Sequence, residues 1–173
     1  NKEQPFFLYL AHTMPHNPVG ARPYFYQKTI NPKKGFGASL AEISWSTGEI
    51  LNTLKEMGID KNTLVIFTSD NGGAPHWGSS NGVLKGRKGQ VHEGGVRVPC
   101  IAWWPGKIKS GTTCNASASV LDFYRTFSAM ANIKTDDNIK RDGIDISDYF
   151  INPGEERKDR PYFYWHVGYL QAV

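Results

Sequence analysis

The chain has 173 residues and a formal net charge of +4, with 39% hydrophobic and 13% aromatic residues. That composition excludes intrinsic disorder and suffices for a domain with its own core. No apolar run reaches the ~18 residues of a membrane-spanning helix, and the basic residues are scattered along the chain, which argues against both a membrane and nucleic acid as partners.

Residues 5–11, Pro-Phe-Phe-Leu-Tyr-Leu-Ala, predict a buried strand. A loop rich in Pro, His and Asn follows over 12–35. Leu40, Ile43, Thr47, Ile50, Leu51 and Leu54 repeat at spacings of three and four, which predicts a helix over 38–57 that stops at Gly58. The short continuous run Thr63–Ser69 suits a central parallel strand covered on both faces. Residues 70–95 form a long loop of Gly, Asn and Ser, and loops of that length are usually functional. Val96–Trp104 predicts another strand, and Ser119 caps a helix with Val120, Phe123, Tyr124, Phe127 and Met130 on its apolar stripe. Residues 134–160 are polar and connective, and the last fifteen residues predict one or two strands. This order is α/β, a mainly parallel sheet flanked by helices, with polar groups gathering beyond the carboxyl ends of the strands. The abrupt strand-like start and finish predict a fragment of a longer protein, whose exposed strand edges would invite self-association. Its compartment is not readable from these residues.

Asp70 and Asn71 offer a carboxylate and an amide oxygen, donors that suit Ca²⁺ or Mg²⁺ better than zinc or copper. The same Asp-Asn-Gly-Gly stretch is strong turn chemistry, the simpler reading of that motif taken alone. Lys85, Arg87 and Lys88 lie among Gly82, Gly86 and Gly89, where glycines let a ligand approach the backbone and cations neutralise it. A solvated basic loop accounts for the same residues, and the order of a phosphate-binding P-loop is absent. His16, flanked by Pro15 and Pro18, is a proton donor near neutral pH or a surface histidine. Cys100 lies in an apolar run and reads as a buried small hydrophobe. The Asn115-Ala-Ser117 sequon is a triplet of the kind that arises by chance.

Taken in order, Pro5-Phe-Phe-Leu-Tyr-Leu-Ala with His-x-x-Pro-His-x-Pro, Thr-Leu-Val-Ile-Phe-Thr-Ser-Asp-Asn-Gly-Gly, and Gly-Arg-Lys-Gly-x-x-x-Glu-Gly-Gly-Val-Arg-Val-Pro resemble the type I sulfatases of the alkaline-phosphatase-like superfamily. The resemblance continues through Ser119-Val-Leu-Asp122 to the closing Tyr-Trp-His and Leu-Gln-Ala-Val. It implies that residues 1–150 are the C-terminal half of the catalytic domain, and that 151–173 lead into the first strand of a small antiparallel subdomain. It implies hydrolysis of a sulfate ester, on a sugar or glycan, with Asp70 and Asn71 as calcium ligands and Mg²⁺ as the lesser alternative. Lys88 and His16 then bind sulfate and assist the leaving alcohol, and Glu93 and Arg97 support the loop. The family's formylglycine arises from Cys/Ser-x-Pro-Ser-Arg, a motif these residues do not contain, so the chain alone is expected to be inactive. Arg125 departs from the family at a position where proline is common. Family resemblance also implies a periplasmic, secreted or lysosomal setting. The alternatives are a phosphomonoester or phosphonate hydrolase of the same superfamily, and a non-catalytic domain that binds sulfated glycans.

Overall fold

A computed structural model describes residues 4–30, 35–136, 138–155, 160–166 and 168–172. The chain divides into two compact units, Asn1–Met57 with Asn71–Arg97, and Gly58–Asp70 with Val98–Val173.

The first unit is built on helix α2, Gly35–Glu56, with the short α1, Pro23–Tyr26, packed against it. Pro23 starts α1, where its missing N–H costs no hydrogen bond. Phe25 is buried with Ala38, Ile43 and Leu54, and its ring meets Trp45 at 5.9 Å. Arg22 ties the two helices: its backbone N–H and its Nε donate to the Glu42 carboxylate at 2.9 and 2.5 Å, and its guanidinium lies 4.5 Å from the Trp45 ring. Ser39 Oγ donates to Gly20 O at 2.8 Å, which fixes the incoming loop to the first turn of α2. One further helical turn, α3, Glu93–Val96, belongs to this unit.

The second unit holds β1, Val65–Thr68, and β2, Cys100–Trp103. They pair antiparallel in the register Val65↔Trp103 to Thr68↔Cys100. β2 begins later than expected because Pro99 has no N–H to give a ladder; its carbonyl instead accepts Thr68 Oγ1 at 3.0 Å. Helix α4, Phe123–Met130, follows the Ser119 cap, and α5 is Ser147–Ile151. A hairpin of β3, Tyr164–His166, and β4, Tyr169–Ala172, closes the described chain.

Asp122 organises this unit. It is fully buried, and its carboxylate accepts from Ser119 N at 2.8 Å and Ile144 N at 3.0 Å. Arg160 Nη2 donates to both of its oxygens, at 2.8 and 2.6 Å. The Asp122 carbonyl accepts Thr126 Oγ1 at 2.8 Å, and Thr126 Oγ1 in turn accepts Ile146 N at 3.0 Å. The stretch 134–160, expected to be merely connective, therefore carries α5 and supplies Ile144, buried Ile146 and Arg160 to this network.

The structure departs from three further sequence expectations. Residues 5–11 carry no β-ladder, and Phe7 and Tyr9 are 75% and 81% exposed. An apolar strand is stable only beside neighbours, and no described strand runs alongside this one. The pairing expected to be mainly parallel is antiparallel in both described ladders, because an apolar run alone does not encode direction. Cys100 is exposed on β2 rather than buried, although partial desolvation of its sulfur raises the thiol pKa.

Candidate functional site

The loop that leaves β1 is a glycine-packed knot and not a mobile surface excursion. Gly72, Gly94 and Gly95 are buried in it. A Cβ on Gly72 would strike Gly94 O, one on Gly94 would strike Gly86 O, and one on Gly95 would strike Gln90 O. No other residue allows those backbones to lie so close. Hydrogen bonds lock the approach: Gly72 N to Gly95 O at 2.9 Å, Gly94 N to Lys85 O at 2.7 Å, and Gly95 N to His92 O at 2.7 Å.

Lys88 is held by its main chain, whose N–H donates to Gly73 O at 3.0 Å. Gly86 and Gly89 on either side have φ of +91° and +85°, the left-handed region where glycine is unstrained. Its side chain and those of Lys85 and Arg87 are exposed, and none of the three makes an ion pair among the described residues. Three cations without an ion pair among the described residues give this loop a local positive potential that favours an anion. Glu93 and Arg97 pair across one helical turn at 3.1 Å with both side chains exposed, a brace worth a few tenths of a kcal/mol, about 0.3–0.5.

Asn81 does more for the loop than any residue singled out from sequence. Its Oδ1 accepts Gly73 N at 2.8 Å, and its Nδ2 donates to Gly73 O at 3.2 Å and Gly86 O at 3.0 Å. It staples Gly73 to Gly86 of the basic loop and closes off the excursion 74–80. Its only local signal was Asn81-Gly82, which reads as turn chemistry; the long-range reach of its amide is invisible in sequence.

Asp70 is exposed and lies two residues past the end of β1, and Asn71 opens the knot. Asn71 Nδ2 donates to Gly72 O at 3.0 Å, which orients the amide. The two donors fit a hard cation in kind, being a carboxylate and an amide oxygen. They fall short in number, because Ca²⁺ takes about six to eight oxygens, and no group of three or more His, Cys, Asp or Glu is found among the described residues.

His16 is exposed in a turn closed by His16 N to Thr13 O at 3.1 Å. Its Nδ1 lies 3.0 Å from Asn17 O, which makes Nδ1 the donor and leaves Nε2 as the ring nitrogen without a hydrogen bond among the described residues. The structure thus gathers Asn71 and Lys88 on one locked loop, through Gly72, Gly73 and Gly95. No described hydrogen bond or ion pair joins His16 to Lys88.

The order of these features matches known proteins. The Sulfatase family model covers residues 1–133. The chain belongs to the sulfatase family. Mouse (Mus musculus) N-acetylgalactosamine-6-sulfatase is 38% identical over 176 residues, covering 99% of this chain and 33% of that protein. Human (Homo sapiens) arylsulfatase A is 35% identical over 166 residues, covering 94% of this chain and 32% of the relative. The crystal structure of Ps i-CgsB in complex with k-i-k-neocarrahexaose is similar with a TM-score of 0.82 and 35% identity, over 88% of this chain and 35% of that one. These similarities give the sulfatase chain the alkaline-phosphatase-like fold, as a part of it. The chain spans about one third of the length of the curated relatives it matches.

Proposed function

We propose that the protein carrying these residues hydrolyses sulfate esters of sugars, and that this chain supplies the oxyanion half of the site. The single observation that carries the reading is the glycine-locked loop presenting Lys88 with uncompensated charge, inside a chain that belongs to the sulfatases. A sulfate ester carries one negative charge over its terminal oxygens. As the S–O bond to the alcohol breaks, charge grows on the sulfuryl group and on the leaving oxygen. The Lys88 ammonium lowers the energy of both by opposite charge, and the locked backbone beneath it limits how far its side chain must be ordered. In its imidazolium form, with Nδ1–H on Asn17 O, His16 donates the Nε2 proton to the departing alkoxide and is left as the neutral Nδ1–H tautomer. The nucleophile is the family's formylglycine, supplied by sequence outside this chain.

Asp70 and Asn71 would hold Ca²⁺, which Mg²⁺ replaces poorly because it demands tighter octahedral geometry. Bound there with acids from outside this chain, the cation would neutralise the sulfuryl oxygens. Residues 1–150 then form the later half of a catalytic domain and 151–173 lead into a smaller one, a division that the β3–β4 hairpin supports. The likeness to N-acetylgalactosamine-6-sulfatase and to a neocarrahexaose complex supports a sugar sulfate as substrate. The phosphate-ester alternative has no such support.

Proton donation gives the test. In the full-length protein, His16→Gln should slow a sugar sulfate at least tenfold more than it slows 4-nitrophenyl sulfate. An alkoxide must be protonated as it leaves, whereas nitrophenolate leaves unaided. Equal losses on the two substrates would remove His16 from the acid role. The 173-residue chain by itself should release no nitrophenol from the aryl sulfate in an overnight assay, and measurable release would overturn the split of the site.

A further inference from the structure

A second feature of the first unit lies one residue from His16. A cleft of about 640 Å³ is lined by Asn17, Pro18, Val19, His76, Trp77 and Gly78. Its size suits a ligand of one or two sugar rings. Trp77 is 52% exposed, and the His76 ring lies against it at 5.2 Å. Asn17 Oδ1 is buried and accepts no hydrogen bond among the described residues. A buried acceptor left unmet in a cleft is a place for a ligand's donor.

The fold holds Trp77 still. Pro75–Trp77 is a tight helical turn, closed by Trp77 N to Ala74 O at 2.9 Å and Gly78 N to Pro75 O at 3.0 Å. Gly78 has φ +106°, and a Cβ there would come within 3.2 Å of Phe36 at the start of α2. Behind the turn, Asn81 pins both ends of the excursion. An exposed tryptophan on so constrained a turn has no core to fill. Its apolar face costs hydration free energy unless something covers it.

We infer that this cleft holds the sugar ring of the sulfate ester, with Trp77 stacked on the ring's C–H face and Asn17 Oδ1 accepting from a ring hydroxyl. The inference rests on the sulfatase reading above and adds the groups that choose the alcohol. A hexopyranose presents an apolar face of C–H groups and hydroxyl donors around its rim. The cleft offers the matching pair, one flat aromatic and one unmet acceptor. A ring bound there meets Asn17, the residue next in the chain to His16, the group that meets the ester oxygen in the proposed reaction. Trp77 and Asn17 are therefore specificity residues.

The test is a set of equilibrium titrations of the full-length protein with inorganic sulfate, galactose and galactose 6-sulfate. Binding is followed by calorimetry and by tryptophan fluorescence. Both sugars should change the fluorescence, and the change should vanish in Trp77→Phe while binding persists. Trp77→Ala should weaken galactose 6-sulfate binding about tenfold, the loss expected for uncovering one aromatic face, and leave inorganic sulfate affinity within twofold. Asn17→Ala should weaken both sugars. Galactose 6-sulfate binding that is unchanged in Trp77→Ala and Asn17→Ala overturns the cleft while leaving the sulfate reading intact. Sugar binding that gains nothing from the 6-sulfate, with no binding of inorganic sulfate, overturns the sulfate reading and leaves the cleft standing.

Discussion

Replacing Lys88 by Ala in the full-length protein should lower turnover of a generic aryl sulfate by about 10²–10³, the usual loss when one preorganised charge-stabilising group is removed. The size follows from the loop. The Lys88 backbone is fixed to Gly73 O, between two glycines in the left-handed region, so the base of its side chain is placed before reaction and only its own rotamers are left to order on the growing charge. Most of the loss should fall on kcat, because the charge develops only as the S–O bond breaks. Lys88→Arg should recover little of it, since a planar fork does not replace a compact ammonium at the same reach. Lys85→Ala and Arg87→Ala should act mainly on KM, through the general positive potential of the loop. Steady-state kinetics on 4-nitrophenyl sulfate reads these outcomes. Wild-type kcat in Lys88→Ala would remove the residue from the reaction.

The largest effect on stability should come from Asp122→Ala. That carboxylate is fully buried and accepts two backbone N–H groups and the Arg160 guanidinium. Removing it strands two backbone donors and a part-buried cation, a change that costs about 3–5 kcal/mol. Since whole domains are stable by only about 5–15 kcal/mol, the variant should be close to unfolding. Asp122→Asn keeps the shape and one acceptor oxygen, and should lose about half as much. The midpoint of guanidinium unfolding measures both, and a midpoint for Asp122→Ala equal to wild type would contradict the account of this unit.

Much of this architecture was legible in the residues because it is local. The spacing of Leu40, Ile43, Thr47, Leu51 and Leu54 marks α2, and Ser119 with Asp122 marks the cap before α4, where both halves of the capping box form. What stayed hidden depends on distant partners. Phe6–Leu10 has the composition of a strand, yet a strand needs a neighbour, and none is described beside it. Thr63–Ser69 announces extended chain without saying which way its partner runs, and β2 returns antiparallel. In the 70–95 loop, the glycines look like flexibility. They act instead as the absence of side chains where three backbones cross. Asp70, Asn71, Lys88 and His16 stood out only as an ordered set, each being ordinary alone. Asn81 signalled only a turn, and Asn17 and Trp77 gave no signal, because an amide that staples a loop, an amide left unmet and a tryptophan held outward are defined by their surroundings.

Hydrolysis of paired esters by the full-length protein tests the central claim most directly: 4-nitrophenyl sulfate against 4-nitrophenyl phosphate, each with and without a calcium chelator. The account predicts release from the sulfate ester at least a hundredfold faster than from the phosphate ester, and loss of that activity when calcium is removed. Faster release from the phosphate ester, or full sulfate turnover in excess chelator, would contradict it.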